Sequence, residues 1–236
     1  MQRYFADIEN NIVHLKEDDV HHIVHVLRMK VGDLIQVVDL SKLYICEITS
    51  LNPFEVKINE TQYEDVELGK SITLFFALAK GDKIDLVIQK ATELGALHIV
   101  LFKSRRCVVN FDQKDISKKF NRYQKIAKEA SQQCHRLYIP IVHGVYDLKK
   151  INKYNLSDVN YLAYEKEAGN TTNSLIIPSE AKSISIMIGP EGGFDEDEVE
   201  YLKSLGFKTV SLGKRILRCE TAAIYALSVI GYKLES

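Results

Sequence analysis

Cysteine is scarce in this chain of 236 residues: there are four, at positions 46, 107, 134 and 219, and no two form a Cys-x-x-Cys pair. Such scatter argues against a disulfide framework and against a zinc site, and it suits a reducing cytoplasm. No apolar run reaches the roughly 18 residues needed to span a bilayer. The opening residues, Met1-Gln2-Arg3-Tyr4-Phe5, show no signal-peptide core. The expectation is a cytoplasmic protein with no membrane segment and no metal. Charge of one sign is also missing, since 31 Lys and Arg against 32 Asp and Glu leave a net of −1. Neither the phosphate-binding pattern Gly-x-x-x-x-Gly-Lys-[Ser/Thr] nor Gly-x-Gly-x-x-Gly occurs.

What remains is an ordinary globular composition, 46% hydrophobic and 27% charged. That balance excludes disordered, collagen-like and coiled-coil chains. The length suits one or two domains with a sizeable core. The small net charge hides an uneven distribution. Residues 1–70 hold 7 basic and 13 acidic side chains, a net of 7 − 13 = −6. Residues 102–150 hold 12 basic and 4 acidic ones, a net of 12 − 4 = +8. A local positive field of this kind attracts polyanions, though a solvated basic helix face has the same composition.

The first 70 residues read as β-rich. Segments 34–38, 43–48 and 54–58 alternate or cluster apolar residues between polar turns, the pattern of a small barrel or sandwich. A helix is expected over 18–29, where Val20, Ile23, Val24 and Leu27 recur at helical spacing. His14, His21, His22 and His25 crowd this stretch, but no third ligand completes a metal set, so surface or polar-network histidines are expected. Near Glu67-Leu68-Gly69-Lys70 the pattern changes, and it divides the chain into 1–70 and 71–236. Segment 72–78 is a continuous apolar run, as in a strand buried on both faces. Then come a helix over 83–94 ended by Gly95, a strand over 98–102 and a basic helix over 117–133. Further strands are expected over 161–164, 184–188 and 209–212, with a helix between the last two and another over 221–234. This alternation predicts an α/β domain with a largely parallel sheet.

In open parallel sheets, ligands bind beyond the carboxyl ends of the strands. Three loops qualify, at 165–169, 189–194 and 213–218. In the second, Gly189-Pro190-Glu191-Gly192-Gly193-Phe194 turns sharply and enters a helix at Asp195, with Glu198 placed for a capping box. Its glycines allow close approach of a backbone to a ligand, or simply a tight turn. Glu191 and the acidic run of residues 195–198 would repel a phosphate and tolerate a cationic or neutral ligand. The third loop mixes Lys214, Arg215 and Arg218 with apolar Ile216 and Leu217, and could hold an aromatic ring and steer an anion. It also reads as a strand-to-helix connection with Thr221 as N-cap.

Ile188-Gly189-Pro190-Glu191-Gly192-Gly193-Phe194, followed by Leu212-Gly213-Lys214-Arg215-Ile216-Leu217-Arg218-Cys219-Glu220-Thr221-Ala222, resembles the cofactor region of SPOUT methyltransferases. The likeness is greatest to the RsmE family, which methylates N3 of a uridine in bacterial 16S ribosomal RNA. It extends along the chain. Arg3-Tyr4-Phe5, the run from His21 to Arg28, Val31-Gly32-Asp33, the run from Lys80 to Gly95, Ser104-Arg105-Arg106 and the run from Glu129 to Arg136 also fit. Cys219 stands where the family usually has Thr, and His25 where Arg is common.

The resemblance implies a PUA-like β-barrel over 1–70 that binds RNA and a trefoil-knotted SPOUT methyltransferase domain over 71–236. It implies a homodimer acting on 16S ribosomal RNA within the small ribosomal subunit, with S-adenosylmethionine as cofactor. Carried over, the cofactor site comprises Tyr164, Glu165, Ile188, Gly189, Glu191, Gly192, Leu212, Gly213, Ile216, Leu217, Arg218 and Ala222. Gly189, Gly192, Leu212, Ile216 and Leu217 would line the adenine and ribose pocket. The cationic sulfonium agrees with the acidic second loop. Displacement at a methyl carbon is mainly a matter of positioning. Arg218 is expected to stabilise the uracil anion, with Glu220 or Glu191 as orienting partner. RNA contacts are expected from Arg3, Arg28, Lys80, Lys83, Arg105 and Arg106. No His or Cys sits in these loops except Cys219, so a covalent route is not expected.

Three other readings use the same residues. A SPOUT enzyme acting on another RNA, on transfer RNA or on a ribose, is separated by identifying the modified nucleoside. A non-catalytic ribosome-assembly protein with a vestigial pocket is separated by cofactor binding. A nucleotide-binding protein would need the P-loop lysine that is missing.

Overall fold

The apolar run after residue 71 becomes the centre of the larger unit. In the computed structural model, which describes residues 1–109, 113–154, 156–167 and 175–236, it forms a strand at Ser71–Ala77. Its side chains alternate between two cores. Ile72, Leu74 and Phe76 pack with apolar residues of the helices Lys83–Glu93, Gln113–Gln133 and Cys219–Glu235. Phe75 and Ala77 pack on the other face with Val199 and Leu202 of a helix at Glu196–Ser204. A strand covered on both faces has no polar side to show, which is why its sequence is apolar throughout.

Numbered in chain order, the larger unit follows a smaller one built from β1 (Arg3–Phe5), β2 (Asp7–Glu9), β3 (Ile12–His14), α1 (Glu17–His21), β4 (Leu34–Asp39), β5 (Lys42–Leu51) and β6 (Phe54–Gln62). The larger unit holds β7 (Ser71–Ala77), α2 (Lys83–Glu93), β8 (His98–Lys103), α3 (Gln113–Gln133), β9 (Ile141–Asp147), β10 (Val159–Ala163), β11 (Ser183–Ile188), α4 (Glu196–Ser204), β12 (Phe207–Val210) and α5 (Cys219–Glu235). By compactness the smaller unit is Met1–Glu67 together with Ser131–Tyr138, and the rest of the chain forms the larger. The sequence had placed 131–138 in the second domain.

The smaller unit pairs β1-β4-β5-β6, with β1 parallel to β4 and the other pairs antiparallel. The hairpin of β2 and β3 turns through Asn10 and Asn11, both at positive φ, as a two-residue primed turn requires. The helix expected over 18–29 is shorter. After α1 the chain makes a wider π-type turn at His22–Val26, and Arg28 then adopts φ 54.

The six strands of the larger unit run parallel in the order β12-β10-β11-β7-β8-β9. Parallel strands joined through helices bring every strand end to one edge of the sheet. β10, β11 and β12 are neighbours there, although the start of each lies 24 residues of chain after that of the one before. The three loops singled out from the sequence therefore converge. Gly95 ends α2 as expected, at φ 87, where only glycine is unstrained. β12 ends at Val210, two residues earlier than expected, so Leu212 belongs to the loop. β9 was not anticipated. Helix α5 begins at Cys219 with Arg218 as N-cap, not Thr221, because the Arg218 carbonyl already accepts the Ala222 N–H at 2.8 Å.

Candidate functional site

Beyond β10, β11 and β12 lies one cavity of about 410 Å³. Such a volume is in the range for a nucleoside-sized ligand. Tyr164 and Glu165 enter it from the end of β10, Ile188 to Glu191 from β11, and Ser211 to Gly213 and Arg215 to Arg218 from the loop after β12, with Cys219 and Ala222 on α5. Of the residues the sequence assigned to a cofactor, Tyr164, Glu165, Ile188, Gly189, Glu191, Leu212, Gly213, Ile216, Leu217, Arg218 and Ala222 line it. Gly192 does not. Its carbonyl turns away and accepts from Arg106 Nη1 at 2.8 Å.

The β11 loop is held by local packing. The Phe194 ring is 3% exposed and stacks on Phe102 at 6.2 Å. It covers Gly189 so closely that a Cβ there would fall 2.7 Å from the ring. Gly193 has φ +68, and a Cβ on it would meet Glu165 Oε1 at 2.7 Å. Both glycines are thus required by the loop's shape. At its far end, Glu198 Oε2 accepts from the Asp195 N–H at 3.0 Å, closing the capping box of α4. Its other oxygen accepts from the Arg105 N–H at 2.8 Å.

The carboxylates at the cavity are not those of the helix start. Asp195 is paired with Arg105 at 3.1 Å and with Arg106 at 2.5 Å. These side chains, with Lys166, Glu196 and Asp197, surround a second, polar hollow of about 340 Å³ beside the first. Glu165 and Glu191 line the main cavity instead. Lys83, the first residue of α2, reaches in after β7 and binds Glu191 Oε1 at 2.7 Å, with Glu220 Oε2 at 3.6 Å. Burial works to raise the Glu191 carboxyl, but the hydrogen bond and charge of Lys83 overcome it and hold it below the usual range. Glu220 is lowered in the same way against burial, by its own backbone N–H, the Cys219 thiol and Lys83. The hydrogen bond to Glu191 raises Lys83 in turn. Burial, then the hydrogen bond to Glu220, pushes the Cys219 thiol up to about 12. A thiol so held is no nucleophile at neutral pH. Arg215 and Arg218 are exposed at the cavity and have no acidic partner among the described residues.

Other expected contacts divide. Arg28, Lys80, Arg105 and Arg106 are exposed. Arg3 is not: it is 0% exposed within the smaller unit. Its guanidinium donates to Glu64 at 2.7 Å, to Gln36 at 3.0 Å and to the His135 carbonyl. A group so enclosed holds β1, and it is not free to meet a phosphate. Lys83 is likewise committed to carboxylates. Its place at the cavity was missed, although Gly81-Asp82-Lys83 follows a strand end just as the other three loops do. Ala168 and Gly169 of the first loop lie outside the described residues. Among the described residues there is no group of acidic, His or Cys side chains that could hold a metal, and no helix long and apolar enough to cross a membrane.

The sequence matches two family models, an RNA methyltransferase domain over residues 66–231 and an RNA methyltransferase PUA domain over residues 15–60. The chain belongs to the RNA methyltransferase family. It is 38% identical to the ribosomal RNA small subunit methyltransferase E of Bacillus subtilis, across 100% of this chain and 98% of that protein. Among solved structures it is similar to the ribosomal RNA small subunit methyltransferase E from Neisseria gonorrhoeae bound to S-adenosyl methionine. There the TM-score is 0.88 at 29% identity, covering 99% of this chain and 98% of that one. A putative methyltransferase from Legionella pneumophila, in complex with the same cofactor, gives a TM-score of 0.87 at 27% identity, over 99% and 98%. For this RNA methyltransferase, the α/β parallel-sheet fold, the PUA-type small unit and the cofactor class agree with the expectations drawn from the sequence.

Proposed function

We propose that this RNA methyltransferase transfers a methyl group from S-adenosylmethionine to N3 of a uridine in 16S ribosomal RNA, working as a homodimer on the small ribosomal subunit. The observation that carries the reading is the cavity of about 410 Å³ at three adjacent strand ends. Its walls are apolar at Ile188, Ile216, Leu217 and Ala222, and Glu165 and Glu191 give it carboxylates. Apolar walls suit a nucleoside, and ionised carboxylates suit a cation, so the donor set fits the cofactor. The names of the relatives support the RNA and the subunit.

Gly189, Leu212, Ile216 and Leu217 would hold adenine and ribose, largely through backbone groups, with Tyr164, Gly213 and Ala222 closing the walls. The bound cofactor supplies a methyl group activated on a sulfonium. The chain supplies position and charge. When N3 of uracil loses its proton, negative charge spreads over the ring carbonyls, and a fixed guanidinium in the cavity stabilises it. Arg218 has this role, being at the cavity and free of carboxylates. Glu220, the orienting partner expected from the sequence, is engaged by Cys219 and Lys83 instead. Arg28 and Lys80 would meet phosphates, and the exposed Arg105 and Arg106 would do so in exchange for Asp195; such contacts position the RNA while the base is read separately. The uridine must leave its stack to reach the cavity.

The test is methyl transfer from labelled cofactor to small subunits, naked 16S RNA and bulk transfer RNA, with the modified nucleoside identified after digestion. 3-Methyluridine from the subunit alone is expected. Another nucleoside, or transfer RNA as substrate, overturns the assignment.

A further inference from the structure

We infer that Lys83 sets the charge balance of the cavity, so that the cationic cofactor does not greatly outbind its neutral, demethylated product. The inference rests on the cofactor reading above and adds a residue that discriminates between the two ligands.

Three observations carry it. Lys83 lines the cavity and lies between two carboxylates, 2.7 Å from Glu191 and 3.6 Å from Glu220. The trio has a net charge of 1 − 2 = −1 with the ammonium and −2 without it. Both carboxylates remain ionised and the ammonium remains protonated through the neutral range, by the shifts given above. Third, Lys83 is the first residue of α2. The first turn of a helix carries partial positive charge and favours acidic side chains, so a lysine there is opposed by its own helix. Attraction from Glu191 and Glu220 offsets this. The Lys83 side chain is 28% exposed, part of the cavity wall and still in reach of solvent.

The cofactor and its product, S-adenosylhomocysteine, differ by one methyl group and one positive charge. A change of charge in the wall is therefore felt by one ligand and hardly by the other. Without the ammonium, Glu191 in the cavity wall and Glu220 behind Lys83 would be left uncompensated and would strengthen cofactor binding selectively. With Lys83 in place the two ligands bind at closer strength.

The experiment is calorimetric titration of the full chain at pH 8 with three probes. These are S-adenosylmethionine, sinefungin (an amine cation in place of the sulfonium) and S-adenosylhomocysteine. The readout is the ratio of the Kd of each cation to that of the thioether. In Lys83→Met the ratio is expected to move about tenfold toward the cations, a change of about 1.4 kcal/mol, and to shrink with added salt. Lys83→Arg keeps the charge and should stay within about twofold of the unaltered chain. Glu191→Gln should move the ratio the other way, and it reads the same balance if Lys83→Met does not fold. Ratios unchanged in both neutral variants overturn the inference and leave the cofactor reading standing. If no probe binds the unaltered chain, the cofactor reading fails and takes the inference with it.

Discussion

Arg218 can lose its side chain without losing its structural task. Its backbone carbonyl starts α5, and its side chain makes no capping bond. Arg218→Ala should therefore leave the helix and most cofactor affinity intact while removing the cation proposed to stabilise the uracil anion. Deleting a single group that stabilises developing charge costs about 10²–10³-fold in rate. We expect single-turnover methyl transfer to fall by that factor, with the cofactor Kd within about threefold. Full transfer by the variant would remove Arg218 from the mechanism. The neighbouring Cys219 illustrates what residue types alone leave open. As a lone thiol in a strand-end loop it could be reactive. Burial and the Glu220 carboxylate settle it as a protonated side chain of the core. Arg3 is the opposite case. The family resemblance of Arg3-Tyr4-Phe5 makes it a phosphate contact, and only the fold shows it enclosed by Glu64, Gln36 and a backbone carbonyl.

Elements were legible where the signal was local. Gly189-Pro190 after an apolar run, Gly95 after a helix and Asp195 with Glu198 each act within a few residues, and each does what its chemistry dictates. β9 shows the limit. Its strand Ile141–Asp147 contains a glycine, and Val142 is its one buried residue, as expected of a strand at the edge of a sheet. It therefore lacks the apolar run that betrays β7. Convergence of the three loops depends on the order β12-β10-β11, which no local pattern encodes. The edge pair β8–β9 has its own pH response. His98 Nδ1 and His143 Nε2 lie 3.1 Å apart. Burial lowers both below the ordinary 6.5, and His98 lowers His143 further. The unfolded chain takes up protons at the ordinary value while the folded one resists. Stability is thus fully present above about pH 6.5 and is lost as pH falls toward the folded values. Urea midpoints of the unaltered chain should drop between pH 7.5 and 5.5, and His143→Gln should flatten that drop. Parallel slopes for the two would show that other groups govern the acid limb.

At the scale of the whole molecule, the acidic excess of residues 1–70 opposes an RNA-binding role. Part of it is structural. Glu64 is held by Arg3, Glu67 takes the Arg136 guanidinium, and Asp19 is buried with Gln132 as a donor to it. Two of those partners come from Ser131–Tyr138, which joins the smaller unit through tertiary contacts that no composition shift marks. No local pattern in the sequence marks this returning segment, which the division at residue 70 left in the second domain. The larger unit leaves its own exposed apolar groups. Ile216, at the cavity, is 82% exposed, and Tyr225 and Tyr232 on α5 are 45% and 74% exposed. The two tyrosines are seven residues apart, two helical turns, and so share a face. Tyrosine is enriched at interfaces between proteins. If the proposed homodimer covers this face, assembly and cofactor binding are linked, because whatever binds the dimer alone stabilises it. Sedimentation of the unaltered chain at about 10 µM should then give twice the mass of one chain, and added cofactor should shift the dimer to lower concentration. Tyr225→Glu with Tyr232→Glu should give a monomer whose cofactor affinity is reduced. A chain that sediments as a monomer at that concentration and still binds cofactor fully would show that one protomer completes the cavity by itself.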